Sequence, residues 1–393
     1  MNKIQIVVIS PSKFPGKTGD TSNYSEMINQ LTKEGFEVFL ICPKNPDSVD
    51  GNLGFSTDVK IIRIPYQPPN HKYEIKNGFK PKHYWRLLLF LVIESVVVFS
   101  TLKHKRIRYV LTRHGIFTVQ LPIIFRLLGT RTIADGDLIS NSFEDQINPM
   151  ILGLIKHYEK KVIKWYTRFK VSTISHAECL QKIGLPKERI LISPVGVDIE
   201  RIPKFSIEEI PEHTFGYFGV LEKWQGVDIL LKAFELLRKK IPTAKLYVIG
   251  KGSLEESLKE SVMDNNLSSD VTFTSVPREK LLHEYFKKFR IVVIPRPRQN
   301  NSTDTIFPIK LAECLAAGKP TIVMDIPVMR EVQKNSVFIV PSEDPESLAK
   351  AMETLSMNKE MMEKYSRMAT SAANNYDIRS KTKQLVNALV DDS

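Results

Sequence analysis

Residues 291–324 read IVVIPRPRQNNSTDTIFPIKLAECLAAGKPTIVM, and their order of strand, loop, helix and strand governs how the rest of the chain is read. Residues 291–294 are a short apolar run of the kind buried in a parallel sheet. Pro295 and Pro297 end it, because proline has no amide hydrogen for a ladder. Residues 299–305 are polar and turn-forming, Pro308 suits a first helical turn, Gly318 suits the position just past a helix end, and Pro320 stops any continuation.

On that helix Ile309, Leu311, Ala312 and Leu315 can face a sheet while Lys310 and Glu313 look toward the loop. The helix start then lies near Arg296 and Arg298, and the outline is that of an anion site. Free amides of the first turn and the dipole behind them favour phosphate, and the arginines and the lysine add full charges. A surface strand-loop-helix unit carrying two arginines by chance has the same outline.

At 393 residues the chain exceeds the usual single core and predicts two domains of nearly equal size, folded throughout. Cys42, Cys179 and Cys314 have neither paired nor metal-like spacing, which predicts buried, reduced thiols in a cytosolic compartment. Residues 4–9 are too short for a signal-peptide core and read as a first strand. The net charge of +12 is concentrated: between His71 and Lys170 stand eighteen Lys and Arg against seven Asp and Glu, leaving +1 for everything else. These basic residues flank an apolar segment, residues 87–100, interrupted by Glu94, and are not interleaved with aromatics as on a nucleic-acid module. The segment is short for a membrane span. It reads either as a core helix or as a helix resting on anionic lipid, with Lys80, Lys82, Arg86, Lys103, Lys105, Arg106 and Arg108 at its ends.

Apolar runs alternate with helical periodicity along the whole chain, which predicts parallel sheets covered on both faces by helices. Strands are expected over residues 4–9, 36–42, 59–64, 107–111, 213–219, 245–249, 271–274, 291–294 and 337–340, and a helix over 227–240. The loop of residues 12–20 carries Gly16 and Gly19, with Thr21 or Ser22 as the cap of the next helix. Neither the GxxxxGK[ST] nor the GxGxxG spacing occurs there, so both nucleotide-loop motifs are rejected. His114 stands at the end of a strand, where open α/β sheets place ligands. Asp135-Gly136-Asp137 has the form of a two-carboxylate metal site, but it reads better as a loop with Asp137 near an acceptor, and no metal is expected.

Ser302, Thr303 and Thr305, then Phe307-Pro308-Ile309-Lys310-Leu311, Glu313 and Ala316-Ala317-Gly318-Lys319-Pro320 resemble the donor-site motif of the retaining GT-B glycosyltransferases of family 4. Residues 171–198 are similar to the last segment of that family's N-terminal domain, with Gly196 and Asp198 shaping the turn into a linker. The resemblance implies that Glu313 binds the ribose of a nucleotide and that the amides near Pro308 and Ile309 hold its diphosphate. It also implies that Val276 lines the base, and that Gly16 and Gly19 line a cleft near the donor phosphates and acceptor. A histidine near His114 meets the acceptor or donor sugar in such relatives. The chain departs from the pattern at three positions. The family's earlier glutamate falls on Thr305, giving T-x-x-P-x-K-x-x-E, with Asp304 as the neighbouring carboxylate. Its arginine and lysine after the second domain's first strand fall on Val220 and Gln225, which leaves Lys223, with Arg296 or Arg298, to meet the diphosphate.

The expectation is therefore an α/β GT-B fold of two Rossmann-like, doubly wound parallel-sheet domains facing a central cleft. Residues 1–200 form the acceptor-side domain, 201–211 a linker and 212–373 the nucleotide-sugar domain, while 374–393 form a terminal helix crossing back. The expected activity is transfer of a sugar from a UDP- or GDP-sugar to an acceptor hydroxyl with retention, on a lipid-linked or surface glycan. No cofactor is expected. The expected location is cytoplasmic, peripheral at the inner face of the membrane, with an anionic membrane surface as a further partner and no nucleic acid. The alternative is an inactive GT-B scaffold acting as a binding or partner subunit.

Overall fold

The computed structural model describes residues 3–12, 14, 19–44, 55, 59–68, 80–136, 149–299, 302–333 and 335–390. The chain divides into two compact units, residues 1–194 with 378–393 and residues 195–377.

The first unit runs β1 (Gln5–Ile9), α1 (Gly19–Lys33), β2 (Glu37–Pro43), β3 (Val59–Ile64), α2 (Pro81–Lys105), β4 (Tyr109–Arg113), α3 (Leu121–Leu128), β5 (Arg131–Asp135), α4 (Pro149–Val162), β6 (Arg168–Val171), α5 (Ile174–Lys182) and β7 (Ile190–Ile192). Its seven strands lie in the order β3-β2-β1-β4-β5-β6-β7, and every pairing is parallel. Such a sheet needs apolar cover on both faces, which explains why Ile6, Val7, Val8 and Ile9 are all fully buried.

The second unit runs β8 (Thr214–Phe218), α6 (Val227–Lys240), β9 (Lys245–Ile249), α7 (Glu255–Asp264), β10 (Val271–Thr274), β11 (Ile291–Ile294), α8 (Ile309–Ala316), β12 (Thr321–Met324), β13 (Phe338–Val340), α9 (Pro345–Met357) and α10 (Lys359–Ala373). Its six strands, again all parallel, lie in the order β10-β9-β8-β11-β12-β13. Side-chain caps fix several helix starts. Asp344 accepts from the amides of Glu346 and Ser347 at 3.0 and 3.1 Å with Pro345 opening α9, and Asn358 accepts from Met361 at 2.8 Å to open α10. A last helix, α11 (Ile378–Val390), belongs to the first unit, where Leu385 and Leu389 are buried with Ile6, Val8, Leu31 and Leu40.

The structure shifts some expected boundaries. Residues 195–211 belong to the second unit, because Val197 and Ile202 are buried in its core and Val197 bridges to Asp377. Residues 374–376 stay there too, with Tyr376 stacked on Phe307 at 4.5 Å. The family-like segment starting at Val171 opens on the last residue of β6, after which Thr173 caps α5 by accepting from the His176 amide at 3.1 Å. The helix read as capped by Thr21 or Ser22 already begins at Gly19. The apolar segment read at 87–100 lies within a much longer helix, the 25-residue α2, whose span 82–105 is long and apolar enough in composition to cross a membrane. Cys42 and Cys314 are buried, while Cys179 is only half-buried.

Candidate functional site

Strand order in the second unit reverses between β8 and β11, and in open parallel sheets ligands bind beyond the carboxyl ends of the strands at that switch. The loop after β8 contains Val220, Lys223 and Gln225; the loop after β11 contains Arg296, Arg298 and Asp304 and leads into α8. Thus the residues singled out in residues 291–324 fall at the switch point.

These loops pack backbone against backbone. A Cβ on Gly226, at φ +71°, would stand 2.0 Å from the carbonyl oxygen of Pro295, so the loops after β8 and β11 touch. A Cβ on Gly250 would stand 1.8 Å from the Gly219 oxygen, and the Leu221 amide donates to Lys251 at 2.9 Å, which ties in the loop after β9. Only glycine fits such approaches.

Lys310 reaches from the first turn of α8 toward the loop after β8. Its Nζ donates to Gln225 Oε1 at 2.7 Å and lies 4.6 Å from the centre of the Tyr217 ring. Gly219 leaves room for it, since a Cβ there would be 2.6 Å from that nitrogen. Part of the residue is exposed, but the ammonium end is enclosed, and burial lowers its pKa to about 7, with repulsion from Arg296 acting in the same direction. Gln225, standing where the family has lysine, is itself buried and serves as the acceptor that orients Lys310.

Glu313, one turn further on, is buried, and its Oε1 accepts from Nε of Arg278 at 2.5 Å. Arg278 follows β10 and Val276, which is half-buried against the core. Arg296 is buried, donates from Nη1 to the Ile306 carbonyl at 3.2 Å and lies 5.6 Å from the Trp224 ring centre. Asp304 is buried and accepts from the Gln299 amide through both oxygens, at 2.9 and 3.1 Å, so this carboxylate shapes the loop. Thr305 is buried beside it. Lys223 and Arg298 are exposed on the two loops, Lys223 in the short turn Lys223–Gln225 and Arg298 with its amide bound to Ser342 Oγ at 2.8 Å. Pro308 caps α8 and Ile309 begins it.

His114 does not reach a site. Its side chain is fully enclosed, Nε2 lies 2.9 Å from Glu159 Oε1, Nδ1 lies 3.2 Å from the Tyr166 hydroxyl, and the rings of Tyr166 and Phe169 pack edge-on. With both ring nitrogens engaged it is a core residue, and the acceptor or sugar contact expected of it is withdrawn. Gly16 and Asp137 lie outside the described residues. Gly19 opens α1. Asp135 is held by Lys170 at 3.5 Å and by the Tyr24 hydroxyl. Arg278 and Tyr217 were missed in the sequence, since neither stands in a motif; only their neighbours in space give them meaning.

Comparison with known proteins agrees with this geometry. A profile described as Glycosyl transferases group 1 matches residues 198–372, and one described as Glycosyltransferase Family 4 matches residues 24–201. An uncharacterized glycosyltransferase of Haemophilus influenzae is 23% identical over 360 residues, covering 88% of this chain and 89% of that one. A phosphatidyl-myo-inositol mannosyltransferase of Mycobacterium leprae is 22% identical over 380 residues, covering 95% and 93%. The crystal structure of Anabaena Alr3699/HepE in complex with UDP superposes with a TM-score of 0.71 at 15% identity, covering 99% of both chains. With a group 1 profile on one half, a family 4 profile on the other and a two-sheet parallel architecture beneath both, the chain is a glycosyltransferase of the GT-B fold.

Proposed function

We propose that the protein moves a hexosyl or N-acetylhexosaminyl group from a UDP- or GDP-sugar to an acceptor hydroxyl on a lipid-linked or surface glycan, with retention of anomeric configuration. One observation carries the reading: Lys310 and Glu313 project one turn apart from α8 at the switch point, with Arg296 buried nearby. The names of two relatives support the acceptor class, the mycobacterial mannosyltransferase named for its lipid and an O-antigen chain mannosyltransferase of Escherichia coli.

The hard step is departure of the diphosphate as the sugar gains oxocarbenium character. Positive charge and free amides set in advance around the leaving group stabilise it, each such donor being worth about 2.7–4 kcal/mol in comparable oxyanion sites. Lys310, Arg296 and the amides at the start of α8 do this work, with Lys223 and Arg298 as exposed reserves on the flanking loops. Glu313 binds the ribose hydroxyls, held for that purpose by Arg278, and backbone groups near Val276 meet the base. Asp304 and Thr305 keep the loop in shape rather than touching the sugar. No protein nucleophile and no metal is assigned. Three free thiols fit a reducing, cytoplasmic compartment.

The test is Glu313→Ala. Turnover of UDP- and GDP-sugars should fall by orders of magnitude while the thermal midpoint stays near that of the parent. Undiminished turnover in a folded variant would remove the assignment, and absence of any diphosphate-dependent binding by the parent would favour an inactive scaffold.

A further inference from the structure

Helix α2 is apolar on two opposite sides. Leu87, Phe90, Val98 and Leu102 are buried in the first unit. Trp85, Leu88, Leu89, Val92, Val96 and Phe99 are exposed, Trp85 by 73% and Val96 by 63%. At 3.6 residues per turn these six fall within an arc of about 100°, so they form one stripe along the helix. The stripe does not end there. Leu127 of α3 and Met150 and Leu154 of α4 are exposed by 75%, 79% and 68%. Buried Leu87 and Leu152 join α2 to α4 in one small core with Ile116, and α3 packs on α2. Of seventeen exposed large hydrophobic side chains among the described residues, ten are on these three adjoining helices, a concentration and not scatter. A patch of that kind marks a docking surface.

Charge selects what docks. Lys82 brackets one end of the stripe and Lys103 the other, the latter with Nζ 5.6 Å from the centre of the exposed Phe99 ring. Arg126 is exposed beside Leu127. The single acidic residue of α2, Glu94, is on the inner side, fully buried and bound by Nε2 of Gln120 at 2.9 Å. An apolar stripe with basic ends and no outward acid complements acyl chains beneath anionic headgroups. A tryptophan at the rim suits the same boundary.

We propose that the outward face of α2, extended by α3 and α4, seats the protein on an anionic lipid bilayer with α2 lying in the plane of the headgroups. Its composition would also permit a span over 82–105, of whose most apolar window 28% is buried in the unit. Leaving the unit would strip Leu87, Phe90, Val98 and Leu102 from their core and carry Glu94 into hydrocarbon. The surface deepens the reading of a lipid-linked acceptor, yet its argument is independent of the transfer chemistry.

The test uses the full chain and vesicles free of acceptor. Flotation is expected with phosphatidylglycerol vesicles and not with phosphatidylcholine alone, and added salt should weaken it. The stripe variant Leu89→Ser/Val92→Ser/Val96→Ser and the charge variant Lys82→Glu/Lys103→Glu should each bind about tenfold or more weakly. Brominated acyl chains should quench tryptophan emission, and Trp85→Phe should abolish the quenching although Trp165 and Trp224 remain. UDP binding measured on the same preparations reports whether the second unit is intact, so a parent protein that binds UDP yet does not float with phosphatidylglycerol vesicles overturns only this proposal. It is also overturned by flotation that neither variant weakens, or by a native mass of two chains that the stripe variant reduces to one while vesicles bind nothing.

Discussion

Lys310 is a cation kept close to neutrality. Burial lowers its folded-state pKa from 10.5 to about 7, so between those values the unfolded chain binds a proton the folded one lacks, and stability rises with pH across that window. A bound diphosphate reverses the balance by favouring the ammonium. UDP or GDP binding near pH 8 should therefore take up a proton, seen as a binding enthalpy that changes with the buffer's ionisation enthalpy, and Lys310→Met should abolish the uptake and weaken binding by about 2 kcal/mol or more. Arg278 carries a second expectation. Arg278→Ala frees Glu313 to rotate and should raise KM for the nucleotide sugar more than it lowers kcat, while Arg278→Lys recovers part of the loss. The sequence made Lys310 and Glu313 legible because their positions relative to Pro308 and Gly318 place them on a helix start. Arg278 was not legible: it lies 35 residues from Glu313, and nothing local announces the pairing. His114 failed for the converse reason, since a strand end tells where the backbone points but not that Glu159, 45 residues on, encloses the ring.

Among the elements, α2 and the glycine loops make distinct predictions. Glu94 is pushed up to about 8 by burial, so its neutral form is the one the fold accommodates. Among the described residues Glu94 Oε1 and Gln120 Oε1 are buried without a hydrogen-bond partner, and a proton on the carboxyl turns one of these two acceptors into a donor. Stability from this group is complete below about 4.5 and lost as pH rises through about 8. Glu94→Gln should flatten that part of the pH–stability profile, read from thermal midpoints. In the second unit, Gly250→Ala places a methyl 1.8 Å from a backbone oxygen that cannot move aside, and should cost about 1–3 kcal/mol while impairing nucleotide binding. The fully buried apolar run β11 coincides with its sequence reading, as does β9, whereas β4 begins two residues later than expected because Ile107 is apolar but belongs to the core contact before the strand. The outward stripe of α2 was hidden for a related reason: an apolar residue in sequence does not say which side of its helix the protein covers.

For the whole molecule, the repeated strand-helix alternation was enough to read two parallel sheets, while the chain's return to the first unit was read from the family resemblance alone. Helix α11 completes the first unit from the far end of the sequence, and Gln384 and Arg131 tie it in, Gln384 to the Ile192 carbonyl at 3.3 Å and Arg131 to that of Val390 at 3.2 Å. Ending the chain after Asp377 should lower hydrogen-exchange protection of β1 and β2 while leaving β8 and β11 protected, because Leu385 and Leu389 leave only the first core. This has a kinetic consequence. During synthesis every strand of the first sheet emerges before any of the second, yet its core stays open until α11 arrives, so the unit translated later is the one able to finish folding first. The newborn protein thus depends on a helix made after the whole second unit to close the first sheet.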